Sequence, residues 1–383
     1  MSRDAVKGGS CSTGRFAQFA GRALRPWLGL ALVCAGFSLH SGFASTFWTA
    51  EFLPNVLQQA ATNIIAAVGM TFVIMSAGID LSVGSMMALC GVSLGLASRG
   101  DLPPFVSYIA AAPAGVLTAT ALGSHGRRCS IRGHRWAATI LGVLVTVSLG
   151  LGIQWASANG GGLPLGVAVG LAVGVSLGLL NGLVVTKGAV PPFVATLGML
   201  TAARGLTVYA TGGNSVGGLP QALGSIGQGA PIVLIALGAA LIGALSLTRS
   251  RFGRCITAIG GNEEAARLSG VNVHLYKTLA YVVSGLTAAI AAIVLTAKFR
   301  LADTGAGANA ELAAIAAVVI GGASLNGGQA SVPGSLVGAL TIAVLNAGLV
   351  LVGIPDTLQG VIIGGVIIMT VLIDQLQRRG GPK

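Results

Sequence analysis

The sequence predicts an all-α polytopic membrane protein with about 10–12 transmembrane helices. Three observations carry that reading. Of 383 residues, 54% are hydrophobic and only 8% are charged, against about 25% charged in soluble domains. Mean hydropathy is +0.85, and apolar runs of about 20 residues, each long enough to cross a bilayer, recur along the chain. The 60 glycines are spread through those runs, as expected of membrane helices that approach closely through small residues.

Residues 1–25 are polar and read as a cytoplasmic tail; 26–376 form the transmembrane domain; 377–383 form a second cytoplasmic tail. The first span is expected over Trp27–Phe47. Its basic flank imitates a secretory signal, but its length and the spans that follow favour an uncleaved helix. The second span, Asn55–Ser76, ends in Ala77-Gly78-Ile79-Asp80, and the third begins at Leu81 and ends near Ser98. Asp80 followed by Ser82 is placed either to cap the new helix or to act as a carboxylate at the cytoplasmic mouth of a pathway. Spans four and five cover Phe105–Leu122 and Trp136–Ser157, joined by an arginine-rich loop. The sixth covers Leu163–Thr186. The seventh opens at Pro191-Pro192, where proline is tolerated, and reaches Thr211 with Arg204 inside it. An arginine at a helix centre costs about 2.5–3.5 kcal/mol on insertion scales, so it should face protein or water; pairing with Glu311 on the outer side is one solution. The eighth span is Pro231–Thr248, and the ninth is Thr278–Ala297. A short tenth span starts at Ala310, the eleventh runs from Val332 to Val352, and the twelfth from Thr357 to Ile373.

With the amino terminus in the cytoplasm, 18 Lys/Arg fall inside and 3 outside, the bias of the positive-inside rule. The net charge of +12 therefore flanks spans and is not a nucleic-acid footprint. Five cysteines and four histidines are scattered, so neither a disulfide framework nor a metal site is expected. No cofactor is expected. Phe72–Leu89 and Ala317–Leu340 echo each other, each placing a Gly/Ser turn on the cytoplasmic side between two spans, a weak sign of repeated halves.

Enzyme chemistry finds little support. There is no phosphate-binding loop, no nucleophile elbow and no catalytic pair within spans. Leu325-Asn326-Gly327-Gly328-Gln329 imitates an ATPase signature but lies between two spans and reads as a turn. An ion-coupled carrier would need carboxylates or histidines at the midplane, whereas Asp80 is expected near a cytoplasmic end and Glu311 near an outer one.

The polar segment 249–277 is the feature without a bilayer role. Glu263, Glu264, Ala265 and Ala266 should form a short helix, with Gly270 as its stop. Gly260-Gly261-Asn262-Glu263-Glu264-Ala265-Ala266-Arg267-Leu268-Ser269-Gly270 resembles the coupling loop of ABC-importer permeases for ribose, xylose, arabinose and related sugars. Gly69–Ser85, Pro192–Gly205 and Glu311–Gly328 resemble the same family, so the likeness spans most of 50–375. The resemblance implies an ABC-importer permease fold that translocates a monosaccharide, with no catalysis of its own. ATP hydrolysis would fall to an ATPase subunit gripping Gly261, Asn262, Glu263, Glu264, Ala265, Ala266, Arg267, Ser269 and Gly270. It also implies a periplasmic sugar-binding protein, a second permease copy (a homodimer), surrounding membrane lipid and a bacterial inner-membrane location. Other cargoes of the same architecture are a nucleoside, a branched-chain amino acid or a signalling furanose; an autonomous carrier is the further alternative. Asp80, Arg204, Glu311 and Asn346 are candidates for the translocation path, with Asn181 and Gln359 as further neutral hydrogen-bonders. Two departures stand out. The family's usual Glu-Leu-Asp-Ala is Glu311-Leu312-Ala313-Ala314 here, and residues 104–158 read as a two-helix insertion.

Overall fold

The computed structural model describes residues 26–39, 49, 52–128 and 134–379. The expected tail 1–25, the end of the first span, the centre of the arginine loop and residues 380–383 lie outside them. In chain order the helices are α1 (Pro26–Ser38), α2 (Phe52–Met75), α3 (Val83–Arg99), α4 (Pro104–Arg128), α5 (His134–Ala158), α6 (Leu163–Thr186), α7 (Pro192–Thr211), α8 (Gln221–Gly224), α9 (Ala230–Arg249), α10 (Arg251–Gly261), α11 (Glu263–Leu268), α12 (Val273–Phe299), α13 (Ala310–Ile320), α14 (Val332–Leu351) and α15 (Asp356–Arg379). Eleven of these match the second to twelfth expected spans, while α1 covers only the first part of the first and is followed by a turn at Leu39. Eight are long and apolar enough to cross a membrane.

The elements start and stop where local chemistry dictates. Proline occupies the first turn of α6, α7, α9 and α14, where its missing N–H costs nothing. Gly100 and Gly212, both at positive φ, end α3 and α7. The Ser331 side chain accepts from Gly334 N–H at the start of α14.

The core is built around α3. Sixteen of its 17 residues are buried, which leaves it no lipid-facing stripe. It packs against α6, α12 and α7, while α2 lies between α12, α14 and α9. The α4–α5 hairpin packs mainly on itself and reaches the body through α6; Ile140, Leu144, Leu151 and Trp155 of α5 are exposed, as a lipid-facing surface would be.

The tightest crossing joins α6 to α12. Gly174, Gly178 and Gly182 recur every fourth residue on one face of α6, and a Cβ at Gly178 would overlap the Tyr281 carbonyl. Backbone contact of this kind is how small residues substitute for a hydrophobic drive between helices in lipid. Gly178→Leu is accordingly expected to push α12 away and cost at least about 1–3 kcal/mol, read as a lower Tm and loss of the monodisperse peak in detergent.

Two short elements set the depth of the candidate site. The helix α13 has 11 residues, about 16 Å at 1.5 Å per residue, so it reaches only part-way across. Residues 300–309 lead into it from the end of α12, tied to the 213–219 segment by an antiparallel bridge between Val216 and Ala302. In the turn 76–82 that joins α2 to α3, Ser76, Gly78, Asp80 and Ser82 are buried, while Ala77, at φ 59, is exposed.

Candidate functional site

Segment 249–277 forms a folded knob of two helices instead of the single one expected. Ser250 caps α10 by accepting from Gly253 N–H. Asn262 ends α10 and caps α11, its Oδ1 accepting from Ala265 N–H at 2.9 Å. A single extended residue thus turns one helix into the next. The stop falls as the sequence indicates: Val271 N–H bonds back to the Ala266 carbonyl, which requires Gly270 at φ +82.

Charge holds α11 against the bundle. Lys277 Nζ lies 2.5 Å from Glu263 Oε2, and Arg267 lies 3.3 Å from Glu263 and 3.7 Å from Glu264. The Lys277 hydrogen bond, aided by the Lys277 and Arg267 charges against some burial, holds the Glu263 carboxyl below its usual range. A depressed carboxylate pKa means that this tether is present at neutral pH and lost as pH falls through the lowered value. Glu264, Arg267 and Leu268 remain exposed.

Beneath the knob, α10 is amphipathic and buries Gly253, Ile256 and Ile259. Phe252 stacks on Phe72 of α2 with centroids 5.5 Å apart, and meets Tyr276 of α12 at 6.3 Å. A Cβ at Gly260 would overlap the Met75 carbonyl. That carbonyl accepts from Gly328 N–H at 3.0 Å. The end of α2, the knob and the 324–329 turn are therefore one packed unit. The ATPase-like Leu325–Gln329 stretch is a turn, as expected, closed by Ser324 N–H to the Gln329 carbonyl.

Deeper in the bundle the expected positions need correction. Asp80 is fully buried. One carboxylate oxygen accepts from Ser82 N–H at 3.0 Å and Ser82 Oγ at 2.6 Å, the other from Ser284 Oγ at 2.7 Å. Asn181 Nδ2 in turn donates to Ser82 Oγ at 2.8 Å, so Asn181 is interhelical glue. Ser284 is the twelfth of 27 residues in α12, about 16 Å from one helix end and 22 Å from the other. Asn181, however, stands five residues from the Thr186 end of α6, and Thr186 is hydrogen-bonded to Thr278, so Asp80 lies inside the bundle toward its knob end, buried where an open mouth would leave it exposed. Glu311 is not near an outer end either. A Cβ at Gly84, one turn past Asp80, would overlap Glu311 Oε2 and the Gly307 carbonyl. For Glu311 the physical reason is the half-length α13, which does not reach the surface that a full span would reach; Asp80 is buried because Ser82 and Ser284 close over its carboxylate.

Arg204 does not pair with Glu311. Its Nη1 donates to the Thr304 carbonyl at 2.6 Å and the Ala306 carbonyl at 3.3 Å, pinning the segment that leads into α13. Among the described residues no ion pair involves Arg204, Asp80 or Glu311. The Arg204→Glu, Glu311→Arg double variant is thus expected to restore nothing: it should lose folded protein at least as severely as Arg204→Glu alone, measured as the yield of monodisperse chain.

Asn346 stands in the wall of a cavity at the opposite end of the bundle from α11, together with Gln359. Gln59, Thr62 and Asn63 of α2 share that wall and were missed in the sequence. Their three- and four-residue spacing within an apolar span was the available signal.

A buried helical core, a helix pair broken at a buried carboxylate and a polar helical knob at one end define a multi-pass membrane transport subunit. The chain belongs to the permease family of ABC importers: the family model described as a branched-chain amino acid transport system / permease component matches residues 52–156 and 136–371. It is 35% identical over 346 residues to the ribose import permease protein of Escherichia coli (strain K12), covering 88% of this chain and 89% of that one. It is 36% identical over 360 residues to the ribose import permease protein of Bacillus subtilis (strain 168), covering 92% of each. The xylose transport system permease protein of Haemophilus influenzae is 32% identical over 369 residues, 92% of this chain and 96% of that one. No solved structure matches.

Proposed function

We propose that this chain is the membrane-spanning permease of an ATP-driven importer for a monosaccharide of the ribose or xylose class. The sugar is delivered by a periplasmic binding protein, and hydrolysis takes place on a partner ATPase. The ribose and xylose relatives support the cargo. The observation that carries the mechanism is the contact of α10 and α11 with the end of α2. An ATPase gripping Asn262–Ser269 would move the knob as a rigid piece. The Gly260–Met75 contact and the Phe252–Phe72 stack would pass that motion to α2 and the 324–329 turn. Both lead directly to the break at Ala77–Ser82.

In this reading the knob faces the cytoplasm, as do both chain termini, in a bacterial inner membrane. The positive-inside bias supports that orientation. A second copy completes the path, lipid covers the exposed apolar faces, and the self-packed α4–α5 hairpin is the tolerated insertion 104–158. Affinity purification from native membranes tests the assembly. A two-domain ATPase and a periplasmic binding protein should co-purify, and sugars titrated into the latter should name the cargo. An intact, monodisperse chain that brings neither, and takes up substrate without ATP, would instead be an autonomous carrier.

A further inference from the structure

The cavity beside Asn346 has a volume of about 770 Å³ and opens between α2, α12, α13, α14 and α15, within the size range of small-molecule sites. Its walls are mostly apolar, with Met87, Leu295 and Ile342 among them. Against that background α2 presents Gln59, Thr62 and Asn63 from one helical face, and α14 presents Asn346. Asn346 Oδ1 is buried and has no hydrogen-bond partner. An orphaned amide oxygen at a cavity wall is a site where a ligand donor is worth most, because the oxygen has already lost its water.

The charges narrow the ligand further. Lys298 is the only charged residue lining the cavity among the described residues, and no carboxylate lines it. The Glu311 carboxylate is turned away against Gly84. A zwitterionic amino acid would find no carboxylate there to balance its ammonium group. A polyhydroxylated neutral molecule needs only what the wall supplies: amide and hydroxyl groups set in apolar surface.

We propose that this cavity is a transit site for a neutral, polyhydroxylated cargo, in which Asn346 Oδ1 accepts a cargo hydroxyl and Thr62 and Asn63 complete the contact. The assignment rests on the sugar-import reading above and adds the residues and the ligand chemistry. Gln359 is left out because its amide N–H is engaged by the Ile354 carbonyl.

The test is ATP-driven pentose uptake into proteoliposomes by the full complex of this chain with its co-purifying ATPase and binding protein. Asn346→Leu keeps the size and removes the acceptor; uptake should fall about tenfold, the worth of one good buried hydrogen bond. ATP hydrolysis stimulated by the loaded binding protein should stay at the wild-type rate. Thr62→Val, nearly isosteric, should lower uptake about threefold and carries the test if Asn346→Leu does not fold. Wild-type uptake by both folded variants would overturn the site. A wild-type complex that imports a branched-chain amino acid and no pentose would overturn the underlying reading as well, so the two failures are told apart by the wild type alone.

Discussion

Gly270→Pro is expected to abolish ATP-driven uptake while the chain still inserts and purifies as a folded bundle. Gly270 has φ +82, which the proline ring cannot adopt, and its N–H donates to the Arg267 carbonyl at 3.0 Å, which proline cannot do. The loss is about 3 kcal/mol or more, and it falls on the last turn of α11, away from the membrane core. The same bend closes the Val271 to Ala266 bond. Without it the knob no longer presents Glu264 and Arg267 from a fixed surface. Adding Glu264→Ala removes one exposed docking charge as well. Uptake and co-purification of the ATPase are the two readouts. Normal uptake by the double variant, with folded chain at wild-type yield, would reject the coupling role of α11.

Asp80→Leu is expected to be the most damaging single change in the bundle. The carboxylate accepts from Ser82 N–H, Ser82 Oγ and Ser284 Oγ, all buried. Leucine would leave three buried donors without partners, at about 1–3 kcal/mol each. No water is at hand to replace the lost bonds. Little monodisperse protein should survive detergent extraction. Asp80→Asn is expected to behave differently. Its Oδ1 can still accept both Ser82 donors, and its amide can donate to Ser284 Oγ, so folding and uptake should be retained. A folded Asp80→Asn chain without uptake would show instead that the negative charge itself is used in transport.

Much of this architecture is legible in one sequence because a bilayer allows few alternatives. Backbone polar groups in hydrocarbon must be satisfied within a helix, so each apolar run fixes an element. Proline at the first turn of α6, α7, α9 and α14 and glycine after α3 and α7 then mark the ends. The knob was legible for a related reason. Asn262, Glu263 and Gly270 carry cap, first-turn charge and stop in their own side chains or lack of one. What the sequence concealed was depth. Asp80 and Glu311 each sit next to a junction between apolar runs, and a junction reads as a surface loop. Nothing local distinguishes a loop in water from one buried by its neighbours. Nor did the lone Arg204 announce carbonyl partners in place of a carboxylate.

Read alone, the residues mark this chain as a multi-helix membrane permease, place the ends of most of its spans, and single out a short polar helix between two of them. Those properties follow from hydropathy, charge bias and capping, all of which act within a few residues. It took the packed bundle to show that Asp80 is closed in by Ser82 and Ser284, that Glu311 lies against Gly84, that Arg204 pins residues 304–306, and that Asn346 shares a cavity wall with Thr62 and Asn63. These juxtapositions depend on how far a half-length helix reaches and on where glycines let backbones touch. Both are set by packing between segments hundreds of residues apart, which no local pattern encodes.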